Sequence, residues 1–500
     1  MRNLSLLTDM YELTMVGGYI VSGKQDQCAN FDYFFRKVPD NGGYCITAGL
    51  EQVVDYITKI RFSQQDLNYL DGLKIFPEKV FRYLENFRFT GDLYAVPEGT
   101  AVFPGEPIVR VTAPLPEAQF VESALLNVLN FQTLIATKAA RVCIAAEGDP
   151  VIEFGLRRAH GPDAALGASR AAFIGGAQGT SNVLAGKLFG IPVRGTVAHS
   201  WVESFPSELE AFRKYCEIYP GGCLLLVDTY DTLKSGVPHA IQVGKELRAR
   251  GLGDLTGIRL DSGDLAYLSK EARKQLDREG FVGTRIFASS DLDEWIIESI
   301  KNQGGKIDTW GVGTRLVTAY STPALGGVYK LTGIEENGKM VPKIKRSDNP
   351  EKVTNPGKKK IVRFFDASGL MRGDVMFLEE ETLENKSLRV FHPAVPHVSK
   401  IYSPKFERVE LLQPIIKGGE LVYQKPALKE IQENTQRNLK ALGPEFKRFT
   451  NPHIYHVSLS QRLLQTKQRL LKKARLFTPP GPPPCRPGEK GRADRVHPTL

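Results

Sequence analysis

The sequence predicts an α/β fold: an irregular α/β barrel, with a second, mixed α+β domain built from the N- and C-terminal flanks. Three observations carry that prediction. Between about residues 150 and 330, short apolar runs alternate with helical stretches six times. Each run ends in small, polar or charged residues, and such ends meet around one mouth when parallel strands close into a barrel. Outside this span the pattern changes to turn and hairpin signals, including Pro104-Gly105-Glu106-Pro107, Gly326-Gly327 and Asn337-Gly338.

The six units follow in order. Val151 to Phe154 leads into Gly155-Leu156-Arg157-Arg158, and Ile191 to Val193 into Gly195-Thr196 and His199. Cys223 to Val227 leads into Asp228-Thr229-Tyr230-Asp231, and Ile258 to Leu260 into Asp261-Ser262-Gly263-Asp264. Arg285 to Ala288 leads into Ser289-Ser290-Asp291, and Ile307 to Trp310 into Gly311-Val312-Gly313-Thr314. A regular barrel has eight such units. Either the barrel is irregular, or two strands come from outside the span.

The N-terminal flank reads as a helix (Asp9 to Val21), a strand (Phe31 to Arg36) and turns near Pro97-Glu98-Gly99-Thr100. A long apolar helix follows from Ala118 to Ala146. It is interrupted by Glu122, Asn127, Asn130, Gln132, Lys138 and Arg141, which suits a buried helix better than a membrane span. Residues 425–475 read as charged helix. The expected division is 1–125 for the N-terminal part of the α+β domain, 126–330 for the barrel and its site, 331–475 for the rest of the second domain, and 476–500 for a proline-rich, disordered tail.

Composition excludes several classes. Among 500 residues, 42% hydrophobic and 24% charged is an ordinary globular balance. No secretory leader is evident, and no run reaches the roughly 18 apolar residues of a span. Cysteines at 28, 45, 143, 216, 223 and 485 show neither zinc spacing nor a disulfide framework, so a reducing cytoplasm is expected. The net charge of +10 suits anionic ligands. Eight basic residues between Lys343 and Arg363 read as a polyphosphate-binding flap or as a solvated loop. Few aromatics are interleaved there for stacking on bases.

Each strand end has a chemical and a plain reading. Gly311, Gly313 and Thr314 could cradle a phosphate or form an ordinary turn. Arg259 could clamp a carboxylate, and Asp261 and Asp264 could hold ribose or Mg²⁺; Asp264 could also cap the next helix. Asp291 with Glu294 reads as a capping box. Arg157 and Arg158 suit pyrophosphate or a carboxylate, or form a surface pair. His199 is either a structural histidine or a nucleophile.

Together, five ordered segments resemble the nicotinate phosphoribosyltransferase family. They are Glu153-Phe154-Gly155-Leu156-Arg157-Arg158-Ala159, Gly195-Thr196-Val197-Ala198-His199-Ser200, Leu226 to Thr232, Arg259 to Asp264, and Gly311 to Thr314, preceded by Leu6 to Met15. The resemblance implies an irregular barrel with a second domain. It also implies a homodimer with shared active sites, and NAD biosynthesis from nicotinate, phosphoribosyl pyrophosphate, Mg²⁺ and ATP. His199 matches the family's phosphorylated histidine. Arg259 and Thr196 match the nicotinate-carboxylate positions, and Tyr11 an aromatic that stacks on the pyridine ring from the partner subunit. Phe154, Arg157, Ser262, Asp264, Gly311, Gly313 and Thr314 are carried over as substrate-binding, Lys345 and Lys359 as ATP-binding. Asp261, Glu153 and Asp228 are the catalytic carboxylates, and Asp228, Asp231 or Glu153 would orient His199. No metal ligand is assigned. The family commonly has Asn where this chain has Ser290. Nicotinamide or quinolinate transfer, and nucleic-acid binding, are the competing functions; neither nucleic acid nor a membrane is an expected partner.

Overall fold

A computed structural model describes residues 3–347, 349 and 352–476. The proline-rich tail lies outside the described residues.

At the centre is a six-stranded parallel sheet. Its order is Gly179–Thr180, Val151–Glu153, Thr309–Val312, Arg285–Ala288, Gly257–Leu260, Leu224–Leu226. Chain-consecutive strands are neighbours except Gly179–Thr180 and Leu224–Leu226, and the last strand returns beside the first, Trp310 pairing with Val151. That is the cyclic order of an α/β barrel. Among the described residues its ladder stays open between the Gly179–Thr180 edge and Leu224–Leu226.

The segment Ile191 to Val193 is not the strand the sequence suggested. Only Val193 bridges, to Thr180, and the strand at that edge is Gly179–Thr180. Two residues with one glycine carry no readable apolar run, so the true strand was invisible. Behind the sheet, the helices Pro162–Gly175, Val237–Ala249, Leu265–Arg278 and Glu294–Asn302 alternate with the strands.

The flanks interleave. A seven-stranded antiparallel sheet runs from Lys339–Pro342 through Gly327–Glu336, Cys28–Phe35, Val109–Pro114 and Asp92–Ala95 to Gln413–Lys417 and Glu420–Leu421. N- and C-terminal segments thus share one sheet. Asn337 and Gly338, at φ 52° and 72°, make the tight turn the sequence signalled. Gly327 instead opens a strand, where a side chain would run into Asn130 and Tyr33. A further six-stranded sheet lies between residues 359 and 459. The 425–475 stretch is not one helix: Leu428–Ala441 and Gln461–Leu476 are separated by Pro444–Lys447 and the strand Val457–Leu459.

Helix Glu122–Ala145 is the buried strut between the two parts, and its polar interruptions are the joints. Lys138 contacts Asp40 at 3.0 Å and Glu294 at 2.9 Å, and Arg141 contacts Glu294 at 2.7 Å. Glu294 is therefore turned into the core rather than closing a capping box. The helix it begins is capped by Asp293, not Asp291: Asp293 Oδ1 accepts from Ile296 N at 2.9 Å.

A second buried pair ties the Pro97–Thr100 turn to Pro162–Gly175. Arg170 Nη1 lies 2.7 Å from Glu98 Oε1, and Gly49 N donates to the same carboxylate. Burial by itself raises the Glu98 pKa, but the guanidinium and the backbone N–H outweigh it and hold the group below the usual carboxylate range. A depressed carboxyl adds stability above its unfolded pKa and loses it as pH falls. Glu98→Ala removes the buried partner of Arg170 and leaves it the more exposed Glu51 at 2.7 Å, so the expected cost is about 3 kcal/mol, read as a lower urea midpoint.

Two cysteines differ from expectation. Cys216 and Cys223 are joined as a disulfide, their Cα atoms 5.1 Å apart. Cys28, Cys45 and Cys143 are free. The spacing of this pair matches no framework pattern, because it staples one helix–strand connection and does not belong to a set of bridges.

Candidate active site

The C-terminal ends of the parallel strands gather one polar cluster, and Arg259 is its hub. It points out of Gly257–Leu260 with Nε on Ser289 Oγ at 2.8 Å, Nη1 on Thr196 Oγ1 at 2.8 Å, and Nη2 on Asp261 Oδ1 at 2.8 Å. Beneath it, the ring of Phe154 has its centroid 5.6 Å from the guanidinium carbon. Ser289 also donates to Asp261 Oδ1. Four strand ends or following turns are locked together here, and each contributes side chains too short to meet except at a common mouth.

His199 begins the short helix His199–Glu203, which lies in the chain between the two edge strands of the sheet. Its side chain is 39% exposed, so a ligand can reach it. Nδ1 lies 3.1 Å from Thr229 Oγ1, and Nε2 lies 3.8 Å from Asp261 Oδ2. The carboxylate beside the imidazole is therefore Asp261, which the sequence had not offered for that task.

The three carboxylates that it had offered are occupied elsewhere. Asp228 Oδ2 accepts from Asp261 N at 2.8 Å and from Ser262 Oγ at 2.6 Å, so it shapes the turn that carries Asp261. Glu153 accepts from Gly155 N, from Ser169 Oγ at 2.8 Å and from Thr180 Oγ1 at 2.6 Å, bracing two strand ends. Asp231 caps its own helix through Leu233 N and Lys234 N. Thr229 was missed altogether; its place between Asp228 and Tyr230 carries no local signal of contact 30 residues away.

The glycine turn has a packing reason. A Cβ on Gly311 would stand 2.6 Å from Phe154 Cδ2, and one on Gly313 would stand 3.1 Å from Phe154 O. These glycines leave room for Phe154 beneath Arg259. Gly311→Ala is expected to cost about 1–3 kcal/mol as an overpacked site and to displace the ring. Thermal unfolding would read this, and a wild-type profile would refute it.

Other expected residues are placed as follows. Asp264 caps Leu265–Arg278 by accepting from Tyr267 N at 3.0 Å, and is exposed, as is Ser262. Thr314 opens the helix Thr314–Val317 behind Gly313. Arg157 is exposed and has no hydrogen bond or ion pair among the described residues. Ser290 holds φ 134°, a left-handed backbone that serine seldom adopts. Tyr11 is 46% exposed. Burial, then the charges of Glu122 and Glu12, raise its phenol pKa, and none of these neighbours belongs to the His199 cluster. Lys345 is exposed. Lys359 is not available to a ligand: its ammonium is buried on Asp32 at 2.7 Å and on the carbonyls of Asn355 and Gly357. A lysine in the middle of a run of three looked like a surface charge, and only the pairing of distant strands shows otherwise.

Comparison with known proteins gives the family. The family model for the nicotinate phosphoribosyltransferase N-terminal domain matches residues 6–130, that for the nicotinate phosphoribosyltransferase family matches 150–368, and that for its C-terminal domain matches 358–467. The chain belongs to the nicotinate phosphoribosyltransferase family. Nicotinate phosphoribosyltransferase of Bacillus subtilis is 48% identical over 475 residues, covering 95% of this chain and 96% of the relative. The human relative is 33% identical, covering 92% and 95%. The crystal structure of human nicotinic acid phosphoribosyltransferase superimposes with a TM-score of 0.81 at 30% identity, covering 93% of this chain and 99% of that one. A nicotinate-nucleotide pyrophosphorylase structure from Pyrococcus furiosus, at 24% identity and a TM-score of 0.67, shares the fold.

Proposed function

We infer that this chain transfers the phosphoribosyl group of phosphoribosyl pyrophosphate to nicotinate, forming nicotinate mononucleotide and pyrophosphate in NAD biosynthesis. The observation that carries the reading is the Arg259 hub, in a chain that belongs to this family. Arg259 is fixed by Ser289, Thr196 and Asp261 and lies over an aromatic ring. A planar guanidinium above an aromatic floor suits an aromatic carboxylate.

In the proposed mechanism the pyridine nitrogen attacks the anomeric carbon as the bond to pyrophosphate breaks. The ribosyl centre carries positive charge in that transition state, so nearby carboxylates such as Asp261 favour it. Asp261 and Asp264 serve the ribose. Gly311, Gly313 and Thr314 offer backbone and hydroxyl donors to the 5′-phosphate, and Arg157 is a free cation for either anion. Tyr11 comes from the partner subunit of a homodimer.

ATP drives the synthesis by transferring its γ-phosphoryl group to His199, and water later cleaves the phosphohistidine. Lys345 remains as a cation for ATP; Lys359 does not. In this reading Mg²⁺ would arrive with its anionic substrate. Among the described residues no cluster of three or more His, Cys, Asp or Glu is arranged to cage a metal. Asp228 Oδ1 is buried without a partner, so one carboxylate oxygen remains for an ion whose other ligands are phosphates and water. We place the enzyme in the cytoplasm, with its phosphorylated substrates.

The deciding experiment measures product from nicotinate, phosphoribosyl pyrophosphate and Mg²⁺, with and without ATP, beside nicotinamide and quinolinate. Turnover with nicotinate alone, stimulated by ATP with release of ADP, is expected. Preference for either other acid or amide would overturn the substrate, and turnover indifferent to ATP would overturn the coupling.

A further inference from the structure

We propose that Cys216 and Cys223 are a reversible covalent modification site whose disulfide state holds the His199 helix over Thr229 and Asp261. The inference rests on the reading of His199 as the phosphoryl acceptor.

The disulfide joins the two supports of that histidine. Cys216 lies near the end of helix Glu208–Ile218, and Cys223 immediately precedes strand Leu224–Leu226. On the helix side, Trp201 stands two residues beyond His199. Its indole N–H donates to Ala211 O at 3.1 Å, and its ring lies 6.1 Å from Tyr215. On the strand side, the chain runs directly into Asp228 and Thr229. Thr229 touches His199 Nδ1, and Asp228 holds the backbone of Asp261.

Leu224–Leu226 needs such a tether. It is the open edge of the parallel sheet and, among the described residues, pairs only with Gly257–Leu260. The disulfide gives it a second attachment. Helix Glu208–Ile218 has other anchors, Glu208 to His239 at 2.8 Å and Arg213 to Glu246 at 2.7 Å. Reduction therefore loosens the relation of helix to strand without freeing the helix. A catalytic group displaced by a fraction of an ångström loses rate steeply.

Both sulfurs are buried, but the connection between them is not: Ile218 and Tyr219 are 51% and 56% exposed, followed by Pro220-Gly221-Gly222. Local opening of this short exposed loop admits a small thiol. A dithiol reductant attacks one sulfur, its second thiol resolves the mixed disulfide, and two protein thiols and one oxidised reductant result. Glutathione disulfide reverses the change, taking two electrons and two protons from the cysteines as two glutathione thiols form. In a reducing compartment a disulfide of this kind is transient, as expected of a sensing device.

The test uses the full-length enzyme purified without reductant. Non-reducing digestion and mass spectrometry establish the Cys216–Cys223 peptide. ADP release and nicotinate mononucleotide formation are then followed in the oxidised form, after dithiothreitol, and after reoxidation with glutathione disulfide. ATP-coupled turnover is expected to fall several-fold on reduction and to recover on reoxidation, with ATP-independent transfer changing less. The doubly substituted Cys216→Ser, Cys223→Ser enzyme should sit at the reduced level and ignore dithiothreitol. Should that variant not fold, the wild-type cycle alone decides. Absence of the cross-linked peptide after glutathione disulfide, or equal turnover in both states, overturns the proposal. Equal turnover alongside an intact requirement for His199 would leave the catalytic reading standing.

Discussion

Replacing His199 by alanine is expected to abolish ATP hydrolysis coupled to synthesis while leaving a slower, ATP-independent phosphoribosyl transfer. An imidazole is a competent nucleophile for phosphoryl capture, and loss of the ring removes the proposed phosphoryl acceptor outright. The residual transfer persists because Arg259, Thr196, Ser289 and Asp261 bind one another without His199. A loss on the order of 10- to 100-fold in that residual rate is what poorer positioning would produce. Paired assays of ADP release and nucleotide formation separate the two effects, and full ATP stimulation in the variant would remove His199 from the mechanism. Thr229→Val is the graded companion. It keeps the ring but loses the 3.1 Å contact to Nδ1, so kcat should fall by about tenfold, the worth of one modest hydrogen bond, with the KM for nicotinate unchanged.

Arg259→Ala should raise the KM for nicotinate by about 10- to 100-fold, as expected for losing a hydrogen bond to a charged group worth about 1.5–3 kcal/mol. The KM for nicotinamide, which has no carboxylate, should move far less. Because Asp261 and Ser289 lose their shared partner, kcat should fall as well. Arg259→Lys is the informative control. It restores the charge, but one ammonium cannot span Thr196, Ser289 and Asp261, so recovery should be partial. Equal changes for both substrates would show that Arg259 organises the site without reading the carboxylate.

The alternation of apolar runs and helices, and the small or polar residues ending each run, were enough to specify parallel strand–helix units with chemistry at one end. That follows because the period and termini of a buried strand are written locally, in adjacent residues. The five strand-end segments likewise sufficed for the family and held Phe154, Thr196 and Asp261 of the residues around Arg259, whereas Ser289 lies outside them. What the sequence could not contain is which distant groups meet. Asp261 beside His199, Thr229 on its ring, Lys359 consumed by Asp32, Glu294 drawn inward to Lys138 and Arg141, and Cys216 bonded to Cys223 are all products of chain closure. So is the two-residue edge strand Gly179–Thr180, too short to leave a pattern. In each case the deciding quantity is a distance of a few ångströms between segments whose local chemistry permits several partners, and packing of the whole chain selects one.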